Sequence, residues 1–506
     1  MTHLKSIRFL APWIAPLAIL LSGCSSDDTA AVAVCPLADG KTSNSIDASV
    51  AVANPFGTAP LTALLTVSTE EPGQVTATVL GRNGVASNIE RKSISCSVTA
   101  DLPIYGLYPG TTNQVKIDII NDGVATVSET LTIETPPLPD NMPGFRIETD
   151  YADDTAAFFL VNFRPTNLPL MVDRFGEIRW FLNVPGVKYG LQRLANGNIA
   201  FGLAAESRIE EFSPFGEQLN VWSVEPGFTN IHHDVYEQDD GNFLVTANKV
   251  GIDTVEDFVV EVDRDSGQIV KEWDMRPILP RRYTLIEDEE DWFHINAVIR
   301  DERDDSLIIS GQRSALVKVT QDNELRWILA PQLGWEGFED FLLTAEGSAE
   351  HEWNWGQHAP EVLPNGELLL FDNGFGRGYG AGADYSRAVT YRIDEDVNGG
   401  GVTQQTWQFG KERGSEFHSP VISDVDYLAD DDHVLITSGS LGFDLNYISP
   451  SDFGIDFIEQ PEKASIVEVD FDGNVIFEMI VTSTLSRGSV YRTEKFDHLV
   501  QPDEQQ

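Results

Sequence analysis

Past Pro139 the apolar residues fall into short runs broken by turns, in units of roughly 40 to 60 residues. One pattern recurs: apolar-x-apolar-Asp-x-x-Gly-x-apolar, often followed by Trp. Met171-Val172-Asp173-Arg174-Phe175-Gly176-Glu177-Ile178-Arg179-Trp180 is the first copy. It returns near Phe212 to Trp222, Val260 to Trp273, Val317 to Trp327, Val389 to Trp407 and Ile466 to Phe477. Asp-x-x-Gly is turn chemistry, the flanking alternation has the period of a strand, and helical periodicity is almost absent. Six copies predict an all-β chain whose residues 139–506 form a six-bladed β-propeller. Upstream, short strand patterns at Leu61–Thr69, Gln74–Leu80, Ser93–Val98, Gln114–Ile120 and Ala125–Ile133 predict an N-terminal β-sandwich over 45–138. Tyr105 to Pro109 reads as a corner, and Pro136-Pro137-Leu138-Pro139 is a stiff boundary. Residues 24–44, rich in Ser, Asp, Ala and Thr, read as a flexible tether.

A second pattern carries the chemistry: a His, about ten residues, a turn, then an apolar strand. His232-His233-Asp234 leads to Asp240-Gly241 and Asn242–Thr246; His294-Ile295-Asn296 leads to Asp304-Asp305 and Ser306–Ser310. Gln357-His358 leads to Pro364-Asn365-Gly366 and Glu367–Phe371, and a looser copy runs from His418-Ser419-Pro420 to His433–Thr437. In a propeller these are inner-strand entrances. One of His232 and His233, with His294, His358 and His418, is therefore expected to face one spot in the central channel. The long inserts Arg276–Asp291, Gln332–Glu350 and Gly374–Tyr385 would cover one face. Only Asp234 lies close enough in sequence to join the imidazoles as a metal-binding carboxylate. A metal site thus ranks behind nucleophilic and acid–base use of the histidines.

Charge narrows the partners. Against 34 basic side chains stand 80 acidic ones, a net charge of -46. Nucleic-acid binding is excluded, since it needs a basic surface. Any anion must be held by local Arg, imidazolium or backbone N–H groups. The N-terminus reads as a lipoprotein signal over 1–23: Lys5 and Arg8, the apolar run Phe9–Leu21, then Leu21-Ser22-Gly23-Cys24, in which Cys24 is lipidated. This predicts a periplasmic protein held by lipid, at the outer membrane in preference to the inner, with no other membrane contact. Cys35 and Cys96 remain; a disulfide and two free thiols are both open. No Cys/His spacing suits zinc.

Several motifs together resemble the bacterial arylsulfate sulfotransferases. Asn54-Pro55-Phe56-Gly57-Thr58-Ala59-Pro60-Leu61-Thr62-Ala63 is similar to the start of that family's sandwich. His232-His233-Asp234, Asp291-Trp292-Phe293-His294-Ile295-Asn296, Gln357-His358 and Phe371-Asp372-Asn373-Gly374 resemble its channel motifs. Tyr385–Val389, Tyr391–Asp394 and Trp407–Gly414 resemble its fifth blade. The resemblance implies transfer of a sulfuryl group from a phenolic sulfate to a phenol through a sulfohistidine, with no cofactor. It assigns the nucleophile to His358. One of the His232/His233 pair and His294 would hold sulfuryl oxygens or protonate the leaving group. Ser310-Gly311-Gln312-Arg313-Ser314-Ala315 is one residue shorter than the family's arginine stretch, and Arg313 is its nearest arginine. Asn296 and Gln357 are expected at the substrate. Trp292, Trp353 and Trp355 suit either an aromatic substrate ring or blade packing. A homodimer stays open. The rival reading is a non-catalytic, ligand-binding propeller lipoprotein; a hydrolytic sulfatase and a quinone-dependent dehydrogenase rank lower.

Overall fold

The computed structural model describes residues 35–500 except 94, 154, 282–288, 347–350, 378–384, 442, 446–454, 458–461 and 485–487. The signal segment and Cys24 lie outside the described residues, as does part of each long insert.

The sandwich is built around one strand. Ala63–Val79 runs through both layers. Its first half pairs with Ile46–Ala53 and Ser97–Ile104, and its second half with Ile89–Lys92 and Thr112–Asn121, whose far side pairs with Val124–Glu134. The sequence reads as two strands here because Glu70 to Gly73 breaks the apolar alternation. The structure joins them and lets the strand change sheets at that break. Gly73 is required there, since a Cβ would stand 2.6 Å from Ile119 Cγ2. Leu65, Val67, Val75, Ala77, Leu102, Val115 and Ile117 fill the space between the layers. Cys35 and Cys96 form a disulfide closing a separation of 61 residues. By chain entropy a loop of that length stabilises the fold by about 4 kcal/mol.

Six sheets of four main strands make the propeller. Their inner strands are Val490–Phe496, Lys188–Arg193, Phe228–Glu237, Ile295–Asp301, His358–Val362 and Asp424–Leu428, and each touches the next around a closed ring. Both chain ends lock the ring. The C-terminal strand Val490–Phe496 is the inner strand of the first blade, paired to Phe158–Phe163. Gly144–Thr149 is the outer strand of the sixth, paired to Val475–Thr482. The repeated Trp of the outer strands has a physical reason. Four of the five indole N–H groups reach a turn or strand of the following blade: Trp180 to Pro214 O at 2.7 Å, Trp222 to Arg264 O at 2.7 Å, Trp273 to Thr320 O at 3.1 Å and Trp327 to Glu395 Oε1 at 3.0 Å. The repeated Asp caps its own turn, as Asp173 Oδ1 does for the N–H groups of Phe175 and Glu177. Arg179, fully buried, ties the propeller to the sandwich through Gly106 O at 2.7 and 2.9 Å.

Candidate active site at the channel mouth

Five of the six inner strands begin irregularly, and Asp424–Leu428 pairs without a shift. Register shifts fall between Tyr189 and Gln192, Ile231 and Val235, Ile295 and Ala297, His358 and Glu361, and Val490 and Thr493. Gly190, His233, His294 and Ala359 have φ of 55°, 51°, 58° and 47°. Three of these are side-chain-bearing residues in the left-handed region, a strain of order 1–3 kcal/mol each that sites of function retain. The bulges turn side chains away from the sheet faces and toward the axis. A ring of aromatic groups results. Tyr189 and His233 centroids are 5.5 Å apart, His233 and His294 4.7 Å, His233 and Tyr491 6.2 Å, and His358 and Tyr491 6.3 Å. His233 is the member of its pair that stands in this ring. His232 lies beside it, the two Nδ1 atoms 3.1 Å apart.

His358 opens its strand and is buried. Its Nδ1 faces two acceptors, Asn373 Oδ1 at 2.7 Å and Gly356 O at 3.1 Å. The Asn373 amide cannot be turned round: its Nδ2 donates to Ser419 O at 2.8 Å and Ile422 O at 2.6 Å. The oxygen therefore meets His358, Nδ1 carries the proton, and the lone pair is on Nε2. Burial, with His294 and Arg492 adding to it, pushes the His358 pKa down to about 4 against the pull of Asn373 and Gly356. The ring is neutral at neutral pH.

His294 is set the opposite way. Glu256 Oε2 lies 2.6 Å and Asp291 Oδ2 2.9 Å from its Nδ1. Burial disfavours its charge, but the two carboxylates outweigh burial and raise its pKa to about 9. Burial likewise opposes the Glu256 charge, and His233 and His294 outweigh it, holding that carboxyl below its usual range. His232 and His233 are pushed down by burial and stay neutral. One neutral imidazole with a free lone pair and one imidazolium thus share the mouth.

The other expected residues take supporting places. Arg313 is bound to Asp291, with Nη2 2.7 Å from Oδ2 and Nη1 donating to the main-chain oxygen, so it stands behind His294. Asn296 donates to Gln357 O at 2.7 Å, and Gln357 Nε2 to Gly311 O at 3.0 Å. Both brace the peptide before His358. Trp292 lies in the core among Met275, Leu279 and Leu307, its N–H 3.0 Å from Asp257 Oδ2. Trp353 packs on the fifth blade. Trp355 is partly exposed, and its backbone N–H donates to Asp372 Oδ1 at 2.8 Å.

An arylsulfotransferase family model matches residues 146–492, and that family's Ig-like domain model matches residues 50–136. The chain belongs to the arylsulfotransferase family. It is 25% identical to the arylsulfate sulfotransferase AssT of Escherichia coli O6:H1, across 83% of this chain and 89% of the relative. It is 26% identical to that of Lelliottia amnigena over the same shares. The chain is therefore an enzyme of the arylsulfate sulfotransferase kind, which decides against the non-catalytic propeller.

In this arylsulfotransferase His232, His233 and Glu256, and Glu256, Asp291 and His294, are groups able to hold a metal ion, their donor atoms within 4.8 Å of one another. A cation there would have to displace the His294 proton and compete with Arg313 for Asp291. Sequence reasoning missed Glu256, Tyr189 and Tyr491. Tyr189 was within reach: it precedes the turn glycine Gly197 by the same eight residues that separate His233 from Gly241 and His358 from Gly366. Tyr491 returns from the far end of the chain, and Glu256 comes from a loop outside the repeat, so neither has a local signal.

Proposed function

We propose that this arylsulfotransferase works by double displacement at His358. The observation that carries the proposal is the fixed tautomer of His358: Nδ1–H held by Asn373 Oδ1 and Gly356 O, and Nε2 free to attack. The Nε2 lone pair forms a bond to sulfur while the bond from sulfur to the aryl oxygen breaks. The electron pair leaves on that oxygen, which takes the Nε2 proton of His294. The Nδ1 hydrogen bonds spread the positive charge left on the sulfated ring. In the second step the acceptor phenol loses its proton to the now neutral His294 and attacks sulfur, returning the lone pair to His358. His233 donates to a sulfuryl oxygen, and catalysis is mainly positioning and charge stabilisation. The reading includes periplasmic, lipid-anchored placement through Cys24.

Purified protein is incubated with a chromogenic aryl sulfate, with and without a phenol. Phenol-dependent colour release matched by sulfated phenol supports transfer; equal release in water alone, without sulfated phenol, refutes it.

A further inference from the structure

Arg164 follows the strand Phe158–Phe163 at the mouth end of the first blade, its backbone N–H bonded to Ser489 O at 3.0 Å. It has counterparts just past the second strand of other blades. Asn373 holds His358, and Arg313 holds Asp291. Arg164 has no such task. Its Nη2 is 3.4 Å from Tyr189 Oη, and its Cζ lies 4.8 Å from the Tyr189 ring centre and 5.8 Å from that of Tyr491. Its Nη1 is buried and has no hydrogen-bond partner among the described residues; the same holds for Tyr491 Oη. Nor does a described carboxylate pair with it, in a chain that holds 80 acidic side chains. A charged donor and a hydroxyl donor, both buried and unsatisfied beside one ring, call for an anionic oxygen.

We propose that Arg164 and Tyr491 form an anion subsite for the ring substituent of the phenol, so that the enzyme selects phenols bearing a carboxylate. This rests on the reading of His358 as the group that attacks sulfur. The Tyr491 ring stands between the two, 6.3 Å from the His358 ring and 5.8 Å from Arg164 Cζ. A phenol with its oxygen at the imidazoles extends about one ring width, and a carboxylate at its far edge meets the guanidinium. The acidic surface repels such a phenol at long range, which makes a local, water-shielded cation the means of selecting it.

Benzoate and benzamide, equal in shape and unable to accept sulfate, are compared as inhibitors of transfer to unsubstituted phenol. Acceptor use of 4-hydroxybenzoate and its methyl ester is compared in the unaltered enzyme, Arg164→Gln, Arg164→Lys and Tyr491→Phe. Benzoate is expected to compete with the acceptor at least tenfold more tightly than benzamide. Arg164→Gln lowers the acid-to-ester ratio of kcat/KM by tenfold or more, chiefly through KM; Arg164→Lys keeps part of it, and Tyr491→Phe lowers it less. Equal inhibition by benzoate and benzamide overturns the subsite whether or not the variants fold, as does a ratio that Arg164→Gln leaves in place. Transfer to any of these phenols by the unaltered enzyme reads the underlying reaction separately: its absence with all of them refutes the sulfotransfer reading, and its presence with equal inhibition refutes only the subsite.

Discussion

Glu256→Gln should move the alkaline limb of the pH profile. The carboxylate lies 2.6 Å from His294 Nδ1 and is the first of the charges that raise its pKa to about 9 against burial. Asp291 remains in the variant, but it is shared with Arg313. With burial unopposed by Glu256, the His294 pKa falls to about 6.5 or below. At pH 8 a group with a pKa of about 9 is about 90% protonated, and one at about 6.5 is about 3% protonated, a loss of roughly thirtyfold in the acid form. His358 sets the other limb, because it must be unprotonated and its pKa lies at about 4. The assay is kcat/KM for the donor, which in a two-step transfer contains only the first half-reaction and reports the free enzyme. The unaltered enzyme should be active between about pH 4 and about pH 9, and Glu256→Gln between about pH 4 and about pH 6.5. Near pH 5.5 the two should differ little. An alkaline limb that stays near pH 9 in the variant refutes the assignment of His294 as the acid.

Asn373→Ala removes the acceptor that fixes the His358 tautomer; kcat should fall on the order of 10² with KM for the donor little changed, in steady-state assays on folded protein well below its melting temperature. It also leaves the Ile422 carbonyl without its donor and Ser419 O with only the Ser386 hydroxyl, so the melting temperature should drop. Labelled fatty acid should enter the full chain expressed in bacteria and not Cys24→Ala; equal labelling of both contradicts the anchor.

The propeller was legible because each repeat carries its own structural logic. The Asp caps its own turn and the Trp reaches the next blade, so the pattern survives in the sequence. His233, His294 and His358 were legible for the same reason: each stands at the irregular start of an inner strand ahead of a turn, whereas His418 lies before the regular strand Asp424–Leu428 and has no ring contact with them among the described residues. Residues that act across the ring were not. Tyr491 and Arg164 belong to the first blade, which is closed by strands from the two ends of the propeller. Glu256 reaches His294 from a neighbouring blade. Arg313 carries the charge expected of it, but its partner Asp291 is a matter of three-dimensional contact. The sandwich was misread where Ala63–Val79 changes sheets, since Glu70 to Gly73 looks like a turn in any local reading.

The central claim is that His358 carries the sulfuryl group between donor and acceptor. Protein exposed to an aryl sulfate without acceptor is quenched rapidly in base, digested and analysed by mass spectrometry. The account predicts a gain of about 80 Da on the peptide containing His358, lost on addition of phenol, with both adduct and transfer absent in a folded His358→Asn variant. An adduct on another residue, or sustained transfer by His358→Asn, contradicts it.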